Sequence, residues 1–442
     1  MATRLCGLAL VFLAIGGVVA GRADDWPQWM GAGRNEVWQE KGIVEKFPAG
    51  GPKILWRAPI SGGYSGPAVA GGKVFVTDYV RAEGEVKNDF ASRSRLQGKE
   101  RVLCLAAGDG KLLWKHEYDC PYYLSYGSGP RATPTVSGGK VYVLGAEGNL
   151  SCLDAETGKV LWSKELKKEY KLEEAPFWGF CGHPLVVGKK LFCLVGGPGS
   201  VAVAFDKDTG KEIWRALSAP EPGYCPPTMI EAGGQKQLLI WHPESLNSLD
   251  PETGKVYWSE PLKPLYNMSV AAPRQAGDFL YVSGIGKCAT LFKLSAAKPA
   301  AEVVWDGKSD TGVFCSNSTP IIDGEVIYGN DCEVGTLRAV KLGTGERLWE
   351  TFQPTTGGDR RASHGTAFVT KNDDRYFLFS ETGDLIIARL SPEKYEEISR
   401  AHLIEPTNEG MGRPVVWSHP AYANKCVFVR NDKEIVCASL AQ

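Results

Sequence analysis

The sequence predicts an all-β protein: an eight-bladed β-propeller of four-stranded antiparallel blades. A hairpin motif that ends in Trp recurs every 44 to 52 residues, and a Pro recurs at the start of one strand per unit. This period suits four short strands with their turns. The chain also offers one strand near its N-terminus and three at its C-terminal end, and their pairing would close the ring and remove exposed sheet edges.

The repeated motif is clearest at residues 150–162, Leu-Ser-Cys-Leu-Asp-Ala-Glu-Thr-Gly-Lys-Val-Leu-Trp. Two apolar runs flank a polar turn, which predicts a bulged β-hairpin. Gly158 supplies the positive φ of the turn, while Asp154 and Thr157 can bond its backbone amides. We expect the Trp residues that close the repeats to be structural, at Trp114, Trp162, Trp214, Trp258, Trp305 and Trp349.

The N-terminal residues predict export. Arg4 precedes an apolar run over residues 5–20 and small residues follow, so residues 1–23 resemble a cleaved signal peptide. We expect a secreted or periplasmic protein with no transmembrane anchor after cleavage. Residues 24–53 predict an extended leader packed on the propeller by Trp26 and Trp29, and residues 54–442 predict the propeller itself.

The blades follow in order from the isolated strand at residues 54–60. We place their starts near Gly66, Ala132, Gly182, Pro226, Ala271, Ser318, Ser363 and Ser418. A Pro begins the innermost strand in all but the seventh, as an edge strand tolerates. Blade seven also lacks the Asp-x-x-Thr-Gly turn, so its place rests on spacing. Residues 81–101 are charged and predict a long exposed loop in blade one, and residues 414–440 predict the last three strands.

Charge and cysteine content exclude some functions. The formal net charge is −1, from 50 basic and 51 acidic residues, and no basic stripe is visible, which disfavours nucleic acid and a polybasic membrane patch.

If Asp323-Gly324 forms a two-residue turn, Cys315 and Cys332 face each other and could form a disulfide. Pro320 argues against that register, because it would occupy a hydrogen-bonded ladder position.

Candidate binding residues gather just before or within the innermost strands. They are Tyr126, Arg131, Trp178, His183, Asn317, Arg361, His364, Arg413, Trp417 and His419. Aromatic and Arg groups at one concave channel mouth suit an anionic or extended polar ligand, such as a peptide, a glycan or an acidic small molecule. The same polar groups could instead line a wet channel that binds only water.

No catalytic residue and no metal site is predicted. His183 and His364 belong to blades on opposite sides of the ring and cannot share an ion, whereas His364 and His419 belong to neighbouring blades and could. Acidic or amide groups also lie near the predicted mouth. We interpret them as residues of solvated turns, at Glu147, Asn317, Asp331 and Glu381.

Three stretches resemble a known family. The repeated Leu-Asp-Ala-x-Thr-Gly-Lys-x-x-Trp, the strand at residues 131–136 and the leader Asp-Trp-Pro-Gln-Trp at residues 25–29 are similar to exported bacterial proteins with pyrroloquinoline-quinone-like propeller repeats. The resemblance implies eight blades, with each Trp docked on the neighbouring blade. The leader departs from the family pattern at Met30, Ala32 and Glu36.

The family has two branches, and the resemblance alone does not choose between them. One comprises quinoprotein dehydrogenases, which hold a quinone and calcium in the channel and usually carry a disulfide between adjacent cysteines. The other comprises non-catalytic scaffolds. Because this chain has no Cys-Cys pair, we expect a non-enzymatic scaffold that binds a protein, peptide or glycan partner and no cofactor. The alternative is an alcohol or aldose dehydrogenase that depends on PQQ and calcium.

Overall fold

The predicted ring of eight blades is confirmed. The computed structural model describes residues 25–442, so the predicted signal peptide lies outside the described residues. The main sheets are antiparallel and take four consecutive strands each, apart from the blade that joins the two chain ends. The innermost strands of blades one and two, two and three, and five and six contact each other, and that of blade one also contacts that of blade eight, so the ring is closed.

The first half of the ring begins with β1 (Ile54–Pro59), which belongs to blade eight. Blade one follows, with β2 (Ala68–Ala70), β3 (Lys73–Glu83), β4 (Ser94–Ala106), β5 (Leu112–Asp119) and the added β6 (Tyr122–Leu124). Blade two has β7 (Thr135–Ser137), β8 (Lys140–Leu144), β9 (Asn149–Asp154) and β10 (Val160–Glu165), followed by the short helix α1 (Leu166–Glu169). Blade three has β11 (Leu185–Val187), β12 (Lys190–Leu194), β13 (Ala202–Asp206) and β14 (Glu212–Ala216). Blade four has β15 (Thr228–Ala232), β16 (Gln235–His242), β17 (Ser245–Leu249) and β18 (Val256–Pro261).

The second half continues after a 3-10 turn at Leu265–Asn267. Blade five has β19 (Arg274–Ala276), β20 (Phe279–Gly284), β21 (Cys288–Leu294) and β22 (Ala301–Asp306). Blade six has β23 (Ile321–Asp323), β24 (Val326–Asn330), β25 (Leu337–Lys341) and β26 (Arg347–Thr351), followed by α2 (Gln353–Thr356). Blade seven has β27 (Ala367–Asn372), β28 (Arg375–Ser380), β29 (Asp384–Leu390) and β30 (Tyr395–His402). A hairpin of β31 (Asn408–Gly410) and β32 (Arg413–Val415) precedes β33 (Ala421–Ala423), β34 (Cys426–Arg430) and β35 (Glu434–Ser439) of blade eight.

The ring closes as predicted. β1 pairs with β35 in an antiparallel register that sets Arg57 opposite Val436, and the sheet order of blade eight is β1-β35-β34-β33. Because both outer edges of a linear stack are joined by this pairing, no blade is left with an unpaired interface.

A β-bulge recurs in the outer strand pair of every blade. The ladder skips one residue of the outermost strand just before the blade Trp or its equivalent. A bulge reverses which face the following side chain points to, so the Trp turns towards the next blade while its neighbour points to solvent. The skipped residues are Leu55, Leu113, Leu161, Ile213, Tyr257, Val304, Leu348 and Ile398.

Trp docking between blades is confirmed for most repeats. The indole N–H of Trp162 donates to the Lys207 carbonyl of blade three at 3.0 Å, and its ring covers Gly210. Equivalent bonds to the next blade run from Trp56, Trp114, Trp214, Trp305 and Trp349. Trp258 differs, because blade five lacks the Thr-Gly turn, and its N–H donates to Gln237 within its own blade at 2.8 Å.

Three local predictions were wrong. Residues 81–101 are not one exposed loop, because β3 and β4 extend into a long hairpin and β6 pairs with β4, leaving a loop at residues 84–93. The residues from 414 onwards do not start the last blade at once, since β32 closes a separate hairpin first. The blade-six turn lies at residues 324–325, because Asp323 pairs with Val326. Cys315 and Cys332 are therefore out of the predicted register, and both are free, buried thiols.

No helix in the part of the chain from residue 25 onwards combines the length and apolar character that a membrane crossing needs.

Candidate functional site

The N-terminal segment, residues 25–53, runs around the inner rim of the ring. Its backbone bonds blade one (Trp26 N to Val69 O, 2.8 Å), blade two (Val136 N to Pro27 O, 2.7 Å), blade seven (Trp38 N to Lys371 O, 2.8 Å) and blade eight (Val44 N to Leu440 O, 2.9 Å). Left-handed residues at Met30, Arg34 and Glu36 turn the segment sharply, so it is not extended throughout. The backbone of the segment therefore bridges four consecutive blades, from blade seven through blades eight and one to blade two.

Trp29 lies in the centre of the channel. Its ring stacks on His183 of blade three, with centroids 4.6 Å apart and planes inclined by 11°. It meets His419 of blade eight edge-on at 5.7 Å and packs with Ala272 of blade five. Only 4% of Trp29 is exposed. Trp29 therefore joins residues of three separated blades and forms part of the lining of the cavity described below.

Arg34 anchors the same part of the segment. Its guanidinium donates to the backbone carbonyls of His183, Pro184 and Pro227, the last at 3.2 Å. In return, Arg274 of blade five donates to the Arg34 carbonyl at 2.8 Å. Several charge-assisted bonds to blades three, four and five hold the turn that carries Trp29 in place.

The cavity above Trp29 measures about 450 Å³ and has aromatic walls, within the range of small-molecule sites. Eight of the ten predicted binding residues line it, and Trp29, Tyr64, Tyr224, Ser316 and several apolar residues complete it. The eight are Tyr126, Arg131, Trp178, His183, Asn317, His364, Trp417 and His419. The other two, Arg361 and Arg413, line a separate cleft with Asp359 and Arg360.

Trp417 is held rigidly by a buried ion pair. Its indole N–H donates to Glu381 Oε2 at 2.9 Å, and Arg413 binds both oxygens of the same carboxylate at 2.7 and 3.1 Å. Burial raises the pKa of Glu381, although the bonds from Arg413 and Trp417 favour its ionised form. Arg413 therefore shapes the cavity from behind its wall.

Two cavity histidines are neutral at pH 7. Burial, followed by repulsion from His419, holds the pKa of His183 well below its usual value. His183 Nδ1 accepts the fixed N–H of Thr133 at 2.8 Å, so the remaining proton is on Nε2. Burial, followed by Arg413, lowers the pKa of His364 to about 4, and its Nδ1 lies 2.7 Å from Ser316 Oγ.

The acidic groups near the mouth are buried, contrary to the solvated turns predicted from sequence. Glu147 binds Lys167 and the Tyr123 N–H, and Asp331 binds Arg338. Glu381 binds Arg413, as described above. Only Asn317 keeps partial exposure. These carboxylates are committed to structural ion pairs, and none lines the cavity.

The described cavity lining is rich in donors that lack a partner. Trp29 Nε1 and Asn317 Nδ2 are buried and unpaired among residues 25–442. Arg131 forms no ion pair with a described carboxylate. It donates to backbone carbonyls, such as that of Ser125 at 2.7 Å, and its guanidinium lies 5.1 Å from the Tyr64 ring centroid. The surplus of donors and positive charge suits a ligand with acceptor groups and negative charge.

Four lining residues hold left-handed backbone that non-glycine residues seldom adopt. They are Tyr126, Tyr266, His364 and Met411, with φ between 51° and 59°. Strained backbone persists where surrounding contacts enforce it and clusters at ligand sites. The mouth is therefore a specifically built region.

Sequence reasoning missed several lining residues. It placed Trp29 against the propeller but not inside the channel, and it missed Phe90 in the blade-one insertion and Met411 at the tip of the β31–β32 hairpin. The sequence has no repeat signal at these positions. The left-handed Met30 and Glu36, already noted as departures from the family pattern, were the available clue.

The site fits a quinone better than it fits calcium. Flat aromatic walls, Arg131 and unpaired donors match a planar ligand with carbonyl and carboxylate groups. Calcium requires six to eight oxygen ligands, usually including carboxylates. The described lining contains no Asp or Glu, and residues 25–442 hold no group of three His, Cys, Asp or Glu side chains arranged to bind a metal. The described lining therefore does not fit a calcium ion.

Comparison with known proteins gives two kinds of match. The family model described as outer membrane protein assembly factor BamB matches residues 98–351. The quinohemoprotein alcohol dehydrogenase ADH IIB of Pseudomonas putida is 32% identical over 42% of this chain and 28% of its own length. BamB of Shewanella oneidensis is 23% identical over 50% of this chain and 56% of its own. The chain thus spans less than two thirds of either relative.

The solved structures agree on the fold. The quinohemoprotein alcohol dehydrogenase of Comamonas testosteroni superposes with a TM-score of 0.60 at 14% identity, over 94% of this chain and 80% of that one. The sequence relatives named as quinone-linked alcohol dehydrogenases contradict the expected non-enzymatic scaffold without a cofactor. That expectation gave too much weight to the missing Cys-Cys pair.

Proposed function

We propose that this chain is a quinone-dependent alcohol dehydrogenase. It belongs to the family of pyrroloquinoline-quinone-like propellers, whose model is described as outer membrane protein assembly factor BamB. The observation that carries the proposal is the aromatic-walled cavity, with Arg131 and unpaired donors in its lining. The quinone-linked relatives support the same reading. We also propose export, on the basis of the signal at residues 1–23.

The aromatic side chains would hold the ligand. Trp178 meets Tyr224 edge-on at 5.4 Å, and Trp417 is fixed by Glu381, so both present rigid flat surfaces. Arg131 supplies positive charge for carboxylates. A bound quinone would supply a two-electron acceptor for oxidising an alcohol to a carbonyl compound.

His364 is our candidate for taking the alcohol proton. It lines the cavity, it is neutral at pH 7, and Ser316 orients its ring. Among the described lining residues no carboxylate competes for this role. A positioned base contributes about 10²- to 10⁴-fold to the rate, and most when its pKa lies near the working pH. Because the pKa of His364 is about 4, we expect His364→Gln to lower kcat by about 10²-fold, the low end of this range, with little change in quinone affinity.

Titration with pyrroloquinoline quinone tests the proposal. We expect one equivalent to quench Trp fluorescence and then to support dye-linked oxidation of primary alcohols, with calcium added or withheld as separate arms. Trp178→Ala should weaken quinone binding about tenfold, because stacking on one wall is lost. Leu161→Ala, on the exposed outer strand of blade two, is the matched control. Failure of the wild-type protein to bind the quinone would refute the proposal.

A further inference from the structure

The floor of the cavity is made by the N-terminal segment and not only by the propeller. Trp29 lines the cavity, and its indole N–H is buried and has no partner among the described residues. Buried donors in folded proteins are almost always paired, so an orphan beside a cavity points to an occupant that supplies the acceptor.

The stacked partner of Trp29 presents a second donor. His183 receives the Thr133 N–H at Nδ1, so its Nε2 carries hydrogen and can only donate. Its ring also lines the cavity. Two stacked rings from different parts of the chain thus bring two N–H donors to one level of the channel.

Acceptors are scarce on this floor. The described cavity lining contains no carboxylate. His419 is the third ring at this level, and its Nδ1 lies 3.5 Å from Glu36 Oε1 without forming a hydrogen bond. Arg131, which also lines the cavity, is another donor. A ligand edge that carried O–H or N–H groups would face donors here, whereas carboxylate or carbonyl oxygens would be satisfied.

We infer that Trp29 and His183 form an all-donor floor that binds the acceptor edge of the ligand, with the N-terminal segment contributing a binding residue to the site. This inference rests on the proposed function and extends it. It selects for flat aromatic carboxylates and quinone carbonyls, and it selects against flat rings that carry hydroxyl groups at the same positions.

Affinity measurements on two variants test the floor. Trp29→Phe keeps a flat ring and removes the N–H, and it should weaken binding of pyrroloquinoline quinone about 10- to 100-fold, the usual effect of deleting a bond to a charged acceptor. Trp26→Phe is the matched control, because it makes a similar change in the same segment outside the cavity lining. His183→Phe, which leaves the N-terminal segment intact, should act in the same direction and serves if Trp29→Phe fails to fold.

A second probe separates this inference from the proposed function. Benzene-1,3,5-tricarboxylate has acceptors but no quinone, and we expect wild type to bind it at least tenfold more tightly than benzene-1,3,5-triol. If quinone does not bind but the tricarboxylate does so through Trp29, the function fails and the floor stands. Unchanged affinity in both Trp29→Phe and His183→Phe, or binding of neither probe by wild type, would overturn the inference.

Discussion

At the scale of single residues, His364 combines burial with a backbone strained into the left-handed region. Its φ is 59°, and its Nδ1 lies 2.7 Å from Ser316 Oγ. Burial favours the neutral ring, and the nearby Arg413 strengthens that preference. The residue is therefore sensitive to acid in a predictable direction.

Stability should fall as the pH drops from about 6.5 to about 4. The pKa of His364 is about 4 in the folded protein, below the value of about 6.5 in an unfolded chain. The neutral ring contributes about 3 kcal/mol to the free energy of unfolding, and this contribution is complete above about pH 6.5. It is lost as the pH falls, because the unfolded chain takes up the proton at a higher pH than the folded protein does. Urea unfolding of wild type and of His364→Gln at several pH values measures this contribution. The titration of Glu381 affects both proteins, so it cancels in the difference between their free energies of unfolding. A difference that does not change with pH would contradict the prediction.

At the scale of elements, the turn glycine of each repeat serves the neighbouring blade as well as its own hairpin. Gly158 has φ of +71°, and a Cβ there would lie 2.5 Å from Trp114 Cε3. Asp154 accepts the Thr157 N–H at 2.8 Å, as the motif predicted. The turn and the Trp that covers it are therefore one packing unit shared by two blades.

Gly158→Ala should cost about 2 to 5 kcal/mol, because left-handed strain adds to overpacking against Trp114. Gly71→Ala is the matched control. Gly71 has φ of +57° but open space around its Cβ position, so only about 1 to 2 kcal/mol of backbone strain is expected. Equal losses in chemical denaturation would show that the close approach of Trp114 is unimportant.

The sequence predicted elements best where they repeat. The Trp motif and the Pro marker each describe a local structure that recurs in almost every blade, so spacing alone located even blade seven. The blade-one insertion failed because its strands carry many charged residues, and their pairing depends on the stack of Tyr79 on Tyr122 and on buried Glu100. Such contacts join residues distant in sequence and leave no local pattern.

The site was predicted only in part for the same reason. Eight of the ten residues predicted beside the innermost strands line the cavity, since the repeat fixes their position. Arg361 follows α2 in a loop that no repeat element anchors, and it lies in another cleft. Trp29 precedes the first strand altogether, so no periodicity could place it in the channel.

At the scale of the whole molecule, the blade interfaces form one continuous circuit. Trp162→Ala, between blades two and three, and Trp56→Ala, between blades eight and one, should each cost about 3 to 5 kcal/mol. Because the ring is closed, both should shift a single transition that fluorescence and circular dichroism report together. Separate transitions in either variant would mean that the blades unfold independently.

The pairing of β1 with β35 also dictates an order of events during synthesis. About 380 residues separate the two strands, so at about 5 to 20 residues per second the first strand waits roughly 20 to 80 seconds for its partner. The N-terminal segment, which carries Trp29, is made well before the strands that close the ring. Completion of the site is thus tied to the last strands made, and a chain interrupted near its end would lack β35, the strand that pairs with β1 and closes the ring.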